Sequence, residues 1–279
     1  MTSTPPPADD PNRLSYARYC AEIPAQTDGV RHLLAGADMA APVPSCPGWS
    51  LGQLVRHIGG AHRWVETLVR NRAAGLVPDR QVNDVPEREH ESADSLRAWL
   101  GEGAVRLAET LREAGPEAQL WTPVPERYRT PVFWARRMTH ETAMHRADVA
   151  LAVGAEYVLM EEVALDAVGE WMEFAALPEV SSESRAGEPP LLGPGRTLHL
   201  HATDTAAPGA GEWLVDLTGE HPVWQLGHAK ATVAARAPLT DLLLHLYGRP
   251  ARDGHAVEVL GDAPLLDLWK RRSGYWLHA

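Results

Sequence analysis

At 279 residues the chain is long for one small domain and comfortable for two, and its apolar (44 %) and charged (23 %) shares are those of an ordinary globular protein. A formal charge of −11 argues against a nucleic-acid partner, because binding phosphates needs a basic face. No apolar run is long enough to cross a bilayer, the opening MTSTPPPADDPNRL lacks the basic and apolar regions of an export signal, and Cys20 and Cys46 make no disulfide framework. Together these features imply a cytoplasmic, reduced protein with no membrane partner.

In chain order, the first dozen residues, rich in Pro and Asp, read as a disordered arm. A helix is expected from Arg13 to Leu34. A second begins at Ser50, where Ser50 and Gln53 make an S-x-x-Q capping box behind the breaker pair Pro47-Gly48. Its Leu51, Leu54, Val55, Ile58, Val65, Leu68 and Val69 recur at helical spacing and mark one apolar face. A third helix is expected over Ala93–Ala114, stopped by Gly115-Pro116, and a fourth from Pro131 to Gly154. A fifth, from Met160 to Ala176, leads out of what reads as a four-helix bundle.

Between Pro178 and Arg196 the chain turns dense in Pro, Gly, Ser and Glu, which predicts a linker or long surface loop. Beyond it the apolar period shortens to two. Strands are expected at Thr197–Ala202, Trp213–Leu217 and Ala229–Ala234, followed by a helix ending at Tyr247-Gly248, a short strand HAVEVLG, and a last helix capped by Asp262 and stopped at Gly274. The fold class is therefore α+β. A helical domain over residues 13–178 precedes an α+β domain over 190–279, the latter an antiparallel sheet with helices on one side.

The fourth helix carries the chemistry. Trp134, Met138, Glu141, His145, Val149 and Ala152 share one stripe, so a carboxylate and an imidazole lie in line with apolar residues facing the bundle interior. On the second helix Leu54, His57, Ala61, Trp64 and Leu68 form a comparable stripe. One Glu and two His turned inward from facing helices could hold a divalent metal, and three N/O ligands leave a fourth position open, as in catalytic zinc sites. Glu-x-x-x-His pairs are also common as surface contacts. Periodicity alone leaves His62 and His140 in competition with His57 and its partners.

Two stretches, VPSCPGWSLGQLVRHIGGAHRW (Val43–Trp64) and WARRMTHETAMHRADVALAVG (Trp134–Gly154), resemble the mycothiol-dependent maleylpyruvate isomerase family, within the wider DinB-like group of metal-binding four-helix bundles. LTDLLLHLYGRP followed by VEVLGDAPLLDLW is similar to that family's C-terminal domain, so the likeness extends over nearly the whole chain. The resemblance implies metal ligands at His57, Glu141 and His145, with zinc as the expected ion and mycothiol as thiol cosubstrate. It further implies a thiolate that adds to a small electrophilic, acidic substrate and returns its trans isomer. The alternatives are a mycothiol S-transferase of detoxification or secondary metabolism, and a non-catalytic metal-binding or regulatory protein.

The resemblance implies a catalytic arginine from the C-terminal domain, and Arg249, in LYGRP, is the approximate match and the candidate for binding the substrate carboxylate, a group that a planar guanidinium suits. A helix-end arginine bonding exposed carbonyls is the competing role. Asp148 is a candidate to orient His145, though solvation beside Arg146 is the simpler expectation. Cys46 reads as a packed loop residue, and His199 and His201 as one face of a sheet surface. The Pro-rich arm, the Pro178–Arg196 segment and the loop TDTAAPGAGE read as extensions of a compact isomerase, of the kind that reshape a cleft.

Overall fold

The computed structural model describes residues 10–78, 85, 88–124, 128–181, 188–252 and 256–274. It divides into two compact units, one of Leu14–Tyr157 and one of Val158–Ala279 together with the N-terminal residues up to Arg13. The expected boundary near residue 178 therefore falls at Tyr157–Val158. The fifth helix is the cause: it packs on later helices of the sheet-containing unit rather than extending the bundle.

The first unit is a bundle of α1 (Tyr16–Leu33), α2 (Leu51–Arg70), α3 (Ala93–Ala114) and α4 (Pro131–Val153). Its helix ends follow local chemistry. Ser15 caps α1, the Ser50–Gln53 box closes with both reciprocal hydrogen bonds (3.3 and 2.9 Å), and Gly154 ends α4 at φ +68°. Leu51, Leu54, Val55 and Ile58 of α2 pack with Val30, Leu34, Leu96, Leu100 and Val149 in one buried cluster. Gly59 is required where α2 meets α3, because a Cβ there would lie 2.1 Å from the Trp99 ring. Unlike its neighbours, α4 is buried around most of its circumference, including Arg136, Arg137, Thr139, His140, Thr142 and Asp148. An element enclosed on most sides has little solvent face to give it an amphipathic stripe.

The second unit contains α5 (Glu161–Ala175), the short α6 (Pro178–Ser181), β1 (Thr197–Ala202), β2 (Glu212–Asp216), β3 (Val223–Leu226), β4 (Val233–Ala237), α7 (Leu239–Leu246), β5 (Glu258–Gly261) and α8 (Ala263–Ser273). The strand order is β3-β2-β1-β4-β5. The expected all-antiparallel sheet is corrected at one pairing: β4 lies parallel to β1, with Leu198 opposite Val233 and Leu200 opposite Ala235. The chain returns past β1 within residues 227–232 and enters β4 running in the direction of β1, so the segment expected as a strand at Ala229–Ala234 is mostly this crossover. The short, half-exposed β3 shows no clear alternation and escapes a period-two reading.

Leu198, Leu200, Trp213, Val215, Val233 and Ala235 form the buried face of the sheet, against which α7 and α8 pack. Residues 182–187 of the expected linker lie outside the described residues. Its flanks are packed, with Val180 and Leu191 buried. The expected N-terminal arm lies outside the described residues over 1–9, but its last residues are fastened: Asn12 Nδ2 donates to the Ala210 carbonyl (3.0 Å), and Arg13 pairs with Glu173 (3.4 Å). Among the described residues, no helix is long and apolar enough to cross a membrane.

Candidate metal centre

The middle of α4 and the second turn of α2 bring His57, Glu141 and His145 together. Glu141 Oε1 lies 3.0 Å from His145 Nε2 and 3.4 Å from His57 Nε2, and the two imidazoles stand edge to face with centroids 5.1 Å apart. Ligands about 2.0–2.1 Å from a tetrahedral zinc are separated from one another by about 3.3 Å, close to the two Glu141–histidine distances, and all three donor atoms lie within 4.8 Å of one another. The side chains are 13 %, 24 % and 12 % exposed, so the point on which they converge can be reached from outside.

The surroundings fix each donor. Asp148, fully buried one turn beyond His145, accepts the His145 Nδ1–H at 2.8 Å and so presents Nε2 toward Glu141. Asp148 is itself held by the loop before α2, where Ser45 Oγ donates to Oδ1 (2.5 Å) and Cys46 Sγ donates to Oδ2 (3.6 Å). The expectation of a solvated Asp148 is thus corrected; a buried carboxylate is tolerable because donors surround it. Arg137, one turn before Glu141, donates from Nη2 to Glu141 Oε2 at 2.8 Å and leaves Oε1 turned to the histidines. The Trp49 ring lies edge-on to His57 at 5.1 Å.

These contacts set the charges. Burial opposes charge on Glu141, yet hydrogen bonds from His145 and His57 and the charges of His145 and Arg137 hold its carboxyl well below the usual range. Burial likewise opposes charge on His145, and is outweighed by its hydrogen bonds with Asp148, Cys46 and Glu141, which hold the imidazole well above its ordinary value.

The competing histidines have other roles. His62 is buried and donates from Nε2 to Thr142 Oγ1 (2.9 Å), whose own hydroxyl donates to the Met138 carbonyl. Burial, then the charge of Arg63, push its pKa down to about 3, so it is a neutral interior group. His140 is buried on another side of α4, edge-on to Tyr19 at 6.3 Å. Arg249 belongs to the second unit, where its Nη1 donates to the Tyr247 carbonyl (2.8 Å), the geometry of a helix-end arginine. His199 departs from the expected sheet surface: it is buried, beside His201, Glu212 and His228.

Sequence reasoning missed Arg137 and the Ser45–Cys46 brace. The first is legible afterwards, since Arg137, Glu141 and His145 repeat at four-residue spacing along one stripe. The second depends on a loop more than a hundred residues away in the chain and leaves no periodic signal.

A helical bundle that turns two imidazoles and a carboxylate onto one point, followed by a unit built on a mixed sheet, defines a two-unit protein with a bundle-borne candidate metal centre. The chain belongs to the mycothiol maleylpyruvate isomerase family. Residues 20–150 match the family model described as the mycothiol maleylpyruvate isomerase N-terminal domain, and residues 162–268 match the MDMPI C-terminal domain. Among solved structures, the crystal structure of the mycothiol-dependent maleylpyruvate isomerase is similar over 88 % of this chain and 93 % of that one, with a TM-score of 0.56 at 14 % identity. A mutant of that enzyme is similar over the same shares, with a TM-score of 0.52 at 16 % identity. At these identities the likeness is one of fold. No curated protein matches the chain.

Proposed function

We propose that this chain is a mycothiol-dependent, zinc-dependent enzyme of the maleylpyruvate isomerase type, acting on a small electrophilic acid. The observation that carries the reading is the convergence of His57 Nε2 and His145 Nε2 on Glu141 Oε1 at metal-ligand spacing. Family membership supplies the thiol and the substrate class. The two free cysteines, Cys20 and Cys46, are in keeping with a reducing, cytoplasmic setting.

A bound divalent metal deprotonates a coordinated thiol that is otherwise mostly protonated near pH 7. The chain's own residues make that possible. His57, Glu141 and His145 would hold the ion; Asp148 keeps the His145 proton on Nδ1; Arg137 holds Glu141 Oε2 and leaves Oε1 turned to the histidines. The thiolate adds to the activated cis double bond of the substrate, the bond rotates as a single bond, and elimination of the thiolate regenerates the double bond in the trans form. Arg249 is the candidate for the substrate carboxylate, and Arg249→Lys is expected to raise KM more than it lowers kcat.

The test is to incubate the zinc-loaded full chain with mycothiol and maleylpyruvate and to follow the substrate by proton NMR. The reading expects the trans isomer to form only when mycothiol is present, with the thiol regenerated. Accumulation of a stable thiol conjugate without trans product would assign the chain to S-transfer instead. No thiol-dependent change of any kind would overturn the enzymatic reading.

A further inference from the structure

A second group of histidines lies in the sheet-containing unit, outside everything used above. His199 and His201, two residues apart on β1, point to the same face of the sheet, and Glu212 of β2 is the direct antiparallel partner of His201. The fourth member arrives by the crossover between β3 and β4. Gly227, at φ +150°, donates its N–H to the Glu212 carbonyl (3.0 Å) and delivers His228 to the same carboxylate.

One carboxylate oxygen therefore meets three imidazoles. Glu212 Oε2 lies 2.9 Å from His199 Nε2 and 3.9 Å from His201 Nδ1, and is in hydrogen-bond contact with His228 Nδ1. The ring centroids are 4.9 Å (His199–His228), 5.7 Å (His199–His201) and 6.0 Å (His201–His228) apart, close to the 5.1 Å between His57 and His145. One ligand atom from each of the four residues lies within 4.8 Å of the others. The nearest cation in register, Arg236 opposite His201, is paired with Glu258 (3.9 Å). His199 is buried whereas the His228 side chain is 70 % exposed, so the cluster runs from the interior to an accessible surface.

We propose that His199, His201, Glu212 and His228 form a second divalent-metal site, distinct from the one in the bundle. Three imidazoles and one carboxylate suit zinc or another borderline cation such as cobalt(II), and four protein ligands make a closed, structural type of site. An ion there would tie β1 and β2 to the crossover that leads into β4, and its binding energy would add to the stability of this unit. The proposal uses no residue of the bundle site and does not depend on the enzymatic reading.

The test is to strip the untagged full chain with chelator and titrate it with Co2+ and Zn2+, following the tetrahedral cobalt absorption and the number of equivalents bound. The wild-type chain is expected to bind two equivalents, and His201→Ala/His228→Ala only one, with an unchanged far-ultraviolet circular dichroism spectrum. Zn2+ should raise the thermal midpoint of Glu141→Ala but not that of Glu141→Ala carrying the two histidine changes. His228→Ala alone, at a largely exposed position, should weaken the second equivalent by about 10-fold or more if the double variant does not fold. Two equivalents retained in the histidine variant, or no binding in Glu141→Ala, would overturn the second site. Two equivalents in Glu141→Ala but one in the histidine variant would sustain it and overturn the bundle site.

Discussion

The two histidine clusters are built by different rules. In the bundle, Arg137, Glu141 and His145 follow one another at helical spacing on a single element, and Asp148 and Ser45 brace them from behind. On the sheet, His199 and His201 come from a period of two, Glu212 from strand register, and His228 from a crossover. The first arrangement takes most of its donors from one helix, with His57 as a long-range ligand and the Ser45–Cys46 loop as a long-range brace. The second exists only once strand pairing and the crossover are in place. A helix can therefore carry a preorganised set of donors with its own outer support, whereas a sheet cluster is only as precise as its register.

The largest effect that sharpens this contrast is the loss of a bundle ligand. His57→Ala and Glu141→Ala are each expected to weaken metal binding, and with it thiol-dependent turnover, by more than about 100-fold, since even an outer partner is worth about 10–100-fold. Metal analysis, assay and circular dichroism of the same preparations check this, with the helical signal expected to stay unchanged. Asp148→Asn comes next. It removes the charge that holds the His145 Nδ1 proton, and affinity at the bundle site should fall by about 10–100-fold while the sheet site is untouched.

Packing supplies a smaller effect. Gly59→Ala places a methyl group against Trp99, whose ring also lies under the Arg63 guanidinium at 3.9 Å and cannot easily retreat. Overpacking there should cost about 1–3 kcal/mol, read as a lowered thermal midpoint. The gentlest effect concerns pH. His62 titrates at about 3 in the folded chain against 6.5 as a free group, because burial and then Arg63 disfavour its charge. The unfolded chain therefore takes up a proton that the folded chain refuses, and the stabilising effect of a neutral His62 is complete above 6.5 and lost as pH falls toward 3. Wild-type stability should fall more steeply than that of His62→Gln over this window, by up to about 1.4 kcal/mol per pH unit. Chemical denaturation at pH 7, 6 and 5 measures the difference.

The bundle was readable from the chain because its helices carry end signals and apolar stripes: Ser50 and Gln53, Gly115 and Gly154 fall where the structure puts them. The ligand stripe on α4 was readable for the same reason. What periodicity could not do was choose His57 over His62, since both lie on partly buried faces of α2, and there the family resemblance decided. The sheet was less legible. Pairing β4 parallel to β1 is a long-range event, and the brief β3 has too few residues to display a period. Asp148 was misjudged because α4 is enclosed by neighbours on nearly every side, so a charged residue next to Arg146 does not imply solvent.

The most direct measurement is the zinc content of the full chain in the His201→Ala/His228→Ala background, where the sheet cluster has lost two of its ligands, with and without the further change Glu141→Ala. Three converging donors require one ion per chain in the parent and none once the carboxylate is gone. Equal zinc in both would mean that His57, Glu141 and His145 do not hold the metal, and the thiol chemistry assigned to them would have to be abandoned.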